Sequence, residues 1–63
     1  MAIYRVKVPR CVDIVIEASG PDEVLSGLRD LVELCGGGKI YVHLLVRRGG
    51  ELVEERLVYA GTL

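Results

Sequence analysis

The residues whose types could do chemistry are two cysteines, one histidine, a glycine run ending in lysine and several clustered charges. Cys11 and Cys35 could form a disulfide, a bond that is rare in the mesophile cytosol but found inside hyperthermophile cells. Helical spacing puts Cys35 on an inward apolar stripe, whereas strand alternation gives Cys11 the parity of the opposite sheet face. A bridge therefore needs a turn at Pro9 to reorient Cys11, and the favoured expectation is a pair of buried, inert thiols. Reactivity of Cys35 is disfavoured because the partial negative charge at a helix C-terminus raises a thiol pKa. Gly36–Gly37–Gly38–Lys39 has the composition of a phosphate loop, but such a loop requires Ser or Thr after the lysine and a strand-to-helix order. Ile40 follows instead and the order is helix to strand, so the run reads as a helix cap and linker. His43 has no Cys, Asp or Glu at ligand spacing and makes no metal centre. It is expected across from Arg56, with Glu54 on a diagonal. Glu54 and Glu55 are strand neighbours that point to opposite faces, so they cannot act as an acid–base couple. No Ser/His/Asp or Cys/His set is apparent. The chain reads as a non-enzyme without catalytic residues, metal or cofactor.

The elements that position these residues follow from hydrophobic periodicity. Tyr4, Val6, Val8, Arg10, Val12, Ile14 and Ile16 alternate with Arg5, Lys7, Pro9, Cys11, Asp13, Val15 and Glu17, which is strand patterning with one fault at Arg10. Proline lacks the N–H that a central ladder needs, so this stretch is either a hairpin turning at Pro9–Arg10–Cys11 or one long strand bulged there. The hairpin is favoured, since it sets Val8 opposite Val12 and Val6 opposite Ile14. A helix is expected from Ser19–Gly20–Pro21–Asp22–Glu23, where a cap precedes proline and first-turn acids. Val24, Leu25, Leu28, Leu31, Val32 and Cys35 form its apolar stripe, and the glycine run ends it. Lys39 to Arg48 alternates again, Gly49–Gly50 supplies a two-residue hairpin loop, and Glu51 to Tyr59 returns. That register pairs Val46 with Val53, Val42 with Leu57 and Ile40 with Tyr59. It also sets Leu44 against Glu55, a mismatch.

Residues 1–63 thus form a single α+β domain with one helix packed on one face of a three- to four-stranded, mainly antiparallel sheet. The order is ββαββ, or βαββ if the first strand is continuous. In its ββαββ form the pattern resembles the β-grasp arrangement of ubiquitin-like and sulfur-carrier proteins, with VDIVIEASGPDEVLSGLRDL as the strand, acidic cap and helix. Those carriers end in Gly-Gly, whereas here the last residues are Ala60–Gly61–Thr62–Leu63, so the resemblance does not extend to conjugation or sulfur carriage. The βαββ form is similar in outline to dodecin, a small flavin-storing oligomer. The residue that stacks on flavin in that family has no counterpart in a chain without Trp.

Composition narrows the classes further. Sixty-three residues bury only about 60% of their unfolded surface, yet 51% of them are hydrophobic. That excess points to association. The net charge of −1 argues against a dedicated nucleic-acid binder, which carries a basic excess. No apolar run reaches the ~18 residues of a membrane helix, and the N-terminal MAIYRVKVPR interrupts its apolar stretch with charges, so a cytoplasmic protein is expected. The absence of Asn and Gln, with Val and charged residues abundant, is the bias of a hyperthermophile.

Two surfaces carry the functional expectations. The sheet face away from the helix should be polar if solvated, but it includes Ile3, Val15, Tyr41, Leu45, Leu52 and Val58. These are the expected interface of a homo-oligomer, a dimer or higher, or of a protein-interaction module. The alternative is a nucleic-acid-binding rim formed by Arg5, Lys7, Arg10, Arg47 and Arg48, with Tyr41 or Tyr4 to stack on bases. A small-ligand-binding oligomer is a third reading.

Overall fold

The computed structural model describes residues 1–62. Five elements follow one another: β1 (Ala2–Val8), β2 (Val12–Ala18), α1 (Pro21–Leu34), β3 (Lys39–Arg48) and β4 (Glu51–Thr62). The ββαββ order is the one expected, and the first apolar stretch breaks at Pro9. All neighbours in the sheet are antiparallel, in the order β2-β1-β3-β4. Because β1 opposes both β2 and β3, those two strands run the same way, and α1 returns the chain along the sheet between them. The likeness to the β-grasp arrangement extends to element order alone.

Each turn has a local cause. Pro9 presets φ at the first corner, and the Cys11 N–H donates to the Val8 carbonyl at 3.0 Å. Arg10, the next corner residue, is held at φ 66°, in the left-handed region. This three-residue loop yields the expected pairs Val8↔Val12 and Val6↔Ile14. Gly49 and Gly50 both have positive φ, as a tight hairpin turn requires. At the start of α1, Glu23 accepts hydrogen bonds from the Ser19 hydroxyl and backbone N–H, which hold its carboxyl below the usual range. At its end, Gly36 N–H donates to Glu33 O and Gly37 N–H to Val32 O, both at 2.9 Å, closing a Schellman cap.

The core lies between α1 and the middle of the sheet. Val24, Leu28 and Val32 face Tyr4, Val6, Val8, Ile40 and Val42, all of them buried. Leu25, Leu31 and Cys35 complete the expected helical stripe at its edge.

Two expectations are overturned. The cysteines are not buried free thiols, because Cys11 and Cys35 form a disulfide with a Cα–Cα distance of 6.0 Å. The tight turn at Pro9 takes Cys11 out of strand alternation, so its parity no longer decides which way it points. In the second hairpin the uninterrupted register holds only from Arg48↔Glu51 to Leu45↔Glu54. Bulges then occur between Leu44/Leu45 and between Val42/His43. The resulting pairs are Leu44↔Arg56, His43↔Leu57, Val42↔Tyr59 and Ile40↔Gly61, in place of Leu44–Glu55, His43–Arg56, Val42–Leu57 and Ile40–Tyr59. Each bulge flips the face presented by β4. Between the two bulges Leu57 therefore joins the uncovered face, while Arg56 moves to the helix side.

Candidate functional site

The face opposite α1 is built row by row from these pairings, since directly opposed residues share a face. Ile3 lies between Glu17 and Leu45, Arg5 between Val15 and His43, and Lys7 between Asp13 and Tyr41. From β4, Glu54 stands beside Leu45, Leu57 beside His43 and Leu52 beside Arg47.

A charge network crosses this face from β2 to β4. Arg5 binds Asp13 with both ends of its fork, Nε to Oδ1 at 2.8 Å and Nη2 to Oδ2 at 2.6 Å. Its Nη1 reaches Glu54 Oε1 at 3.0 Å, and the same oxygen accepts from Lys7 Nζ at 2.9 Å. His43 Nε2 stands 3.7 Å from the other Glu54 oxygen, while its Nδ1 is buried without a hydrogen-bond partner. The Arg5 guanidinium holds the Asp13 carboxyl below its usual range. The Lys7 ammonium, with His43 and Arg5 adding to it, does the same for Glu54. Arg5 is pushed upward in turn, mainly by its bond to Asp13. Solvent screens exposed pairs of this kind, so they add little to stability. Their consequence is neutrality, because two cations answer two carboxylates within the network.

Apolar residues surround that network. Leu45 is 7% exposed and forms the floor of a shallow depression of about 340 Å³ lined by Arg5, Asp13, Val15, Leu52 and Glu54. Val15 at 53%, Leu57 at 49% and Leu52 at 39% remain open to solvent around it. Of the expected interface, the sheet brings Ile3, Val15, Tyr41, Leu45 and Leu52 onto this face. Val58 is not with them: it falls at a bulge and packs against the core cluster. Leu57 takes its place; the slip that brings it there exchanges the expected Leu44–Glu55 pair for Leu44↔Arg56.

The basic rim is divided. Because β1 and β3 are antiparallel, their turns lie at opposite ends of a molecule 37 Å long. Arg10 is at one end, Arg47 and Arg48 are at the other, and Arg5 and Lys7 between them are ion-paired. Tyr4 is buried and cannot stack on a base. Among the described residues no group of three or more His, Cys, Asp or Glu is placed to hold a metal. No described helix is long and apolar enough to cross a membrane. No family model, curated protein or solved structure matches the chain.

Proposed function

We propose that this chain is a small, non-enzymatic interaction module that self-associates through the uncovered sheet face. The observation that carries the reading is the exposure of Val15, Leu52 and Leu57 around Leu45, beside charges that already neutralise one another. Covering apolar surface gains roughly 25 cal/mol per Å², and burying a charge is costly chiefly when it is unpaired. This face has the apolar area, and the charges at its centre, Arg5, Lys7, Asp13 and Glu54, are paired. A second copy related by two-fold symmetry would meet the same patch, apolar against apolar, and association would add stability that a 63-residue core lacks. A cytoplasmic, hyperthermophilic setting fits the composition, and it accommodates the Cys11–Cys35 disulfide because such cells tolerate disulfides internally.

Light scattering coupled to size exclusion tests the proposal. The expected result is a mass above the monomer at micromolar concentration, reverting to monomer in Leu57→Glu and Val15→Glu, which are both exposed enough to leave folding intact. A monomer at all concentrations, or an oligomer indifferent to both substitutions, refutes it. A second route is favoured by the contrast between the sheet edges. β4 carries two bulges, whereas β2 is a regular seven-residue edge open to pairing with another strand. Amide exchange would separate the routes, since edge pairing protects β2 amides on association and face packing leaves them exchanging.

A further inference from the structure

The end of the uncovered face nearest the β1–β2 turn holds chemistry that self-association does not use. There Tyr41 stands between two grooves. One, of about 560 Å³, runs to Lys7, Pro9, Arg10 and Asp13, and the other, of about 240 Å³, runs to Lys39, Ala60 and Thr62. Asp13 is held by Arg5, whereas neither Arg10 nor Lys39 has a carboxylate partner among the described residues. Arg10 occupies a corner that favours Gly or Asn, since its φ of 66° is unfavourable for a residue with a Cβ. A strained arginine projecting from a turn beside a half-buried aromatic ring that lines two grooves is the kind of outlier that marks a site.

We propose that this end binds single-stranded nucleic acid. Tyr41 stacks on one base, and Arg10 and Lys39, one on each side of the ring, meet the phosphates that flank it. The ring decides the class of ligand: every base has a π-face, whereas an acidic peptide would use the cations and leave the aromatic idle. Tyr41 is also the one tyrosine able to act this way, because Tyr4 is buried and Tyr59 packs against the core on the helix side. The site is small, so the binding is weak and sequence-tolerant. It does not depend on self-association, whose apolar cluster lies towards the β3–β4 turn.

Fluorescence anisotropy with labelled oligo-dT tests it, using the intact, oxidised protein. Binding is expected at about 20 mM salt, with a log–log salt slope near −1.4 for two phosphate contacts. Tyr41→Ala should weaken it at least about fivefold. Arg10→Ser should weaken it and flatten the slope by about 0.7. Circular dichroism reports that each variant is folded, and light scattering reports self-association separately. No binding at low salt overturns the proposal, and so does binding unchanged in both folded variants. Preference for a poly-glutamate peptide over oligo-dT, or equal affinity for a mononucleotide, also overturns it.

Discussion

Breaking the Cys11–Cys35 bridge should lower the melting temperature by roughly 25 °C. The bond joins residues 24 apart in sequence, linking the β1–β2 turn to the end of α1. In the chain-entropy account, closing a loop of that length removes about 3.5 kcal/mol of freedom from the unfolded chain. A 63-residue domain has a total stability of only about 3–9 kcal/mol. Its unfolding entropy at the midpoint is about 130 cal/mol/K, from roughly 2.1 cal/mol/K per residue, and dividing the one by the other yields the shift. The assay compares thermal unfolding of the oxidised protein, the protein in excess dithiothreitol, and a Cys11→Ser/Cys35→Ala double variant. The last two should melt together, far below the first. Thiol titration of denatured, unreduced protein should find no free thiol. A loss under about 8 °C would mean that the bridge does not restrict the unfolded ensemble, and two titratable thiols would mean that it is not there.

Acid should weaken the fold through the carboxylates of the uncovered face. Asp13 and Glu54 have folded-state pKa values below their unfolded ones, so their contribution is complete above about pH 4.5 and is lost as pH falls through the lowered values. Melting temperature should be level from neutral pH to about 5 and then decline, less steeply in Asp13→Asn/Glu54→Gln; an identical decline in the variant would contradict the assignment. Arg10→Gly should raise the melting temperature by roughly 4–8 °C, the relief of a left-handed corner less the greater freedom of glycine in the unfolded chain, about 0.5–1 kcal/mol net. The same substitution should weaken oligo-dT binding, so a stable variant that binds as before would separate the strain from the site. Gly61→Ala should destabilise, because its Cβ would stand 2.5 Å from the Tyr59 hydroxyl oxygen. A double-mutant cycle with Tyr59→Ala should recover most of that loss, and simple additivity would show that the ring is not the obstacle.

What was legible in the sequence was whatever a short-range rule decides. The helix could be read because a period of 3.6 runs from Val24 to Cys35 between a proline start and a glycine stop. Gly49–Gly50 was legible as a turn because few residues accept positive φ at two successive corners. Pro9 marked the first hairpin because it lacks the N–H that a central ladder needs. The bulges were not legible, since they answer to long-range packing. Val42 meets Tyr59, and Ile40 meets Gly61, only after β4 has slipped twice, and a pattern read one strand at a time cannot count the slips. The candidate site inherits that limit. Ile3, Val15, Leu45 and Leu52 were placed correctly because they precede the first bulge or lie on other strands, whereas Val58 and Leu57 exchanged roles beyond it. The disulfide was missed for a related reason: alternation describes residues within a strand, and Cys11 sits in a turn.

The two bulges also bear on why the uncovered face has the character it does. Without them β4 would carry Arg56 and Val58 to that face, and Leu57 would turn towards α1. With them a charged side chain leaves the face, a leucine enters it, and parity is restored in time for Tyr59 to close the core beside Val42. The same irregularity deprives β4 of the straight edge on which another strand could pair. One local device thus makes the face more apolar and the nearer edge less adhesive. If self-association were an accident of a small hydrophobic chain, there would be no reason for these effects to coincide. A variant that deletes Glu55 removes the extra residue of the first bulge but leaves Arg56 opposite Leu44 on the helix side and Leu57 opposite His43 on the uncovered face. By the reasoning above it should keep both its oligomeric mass and the Gly49–Gly50 hairpin, and a monomer would show that association depends on the bulge itself rather than on the residues it brings to the face.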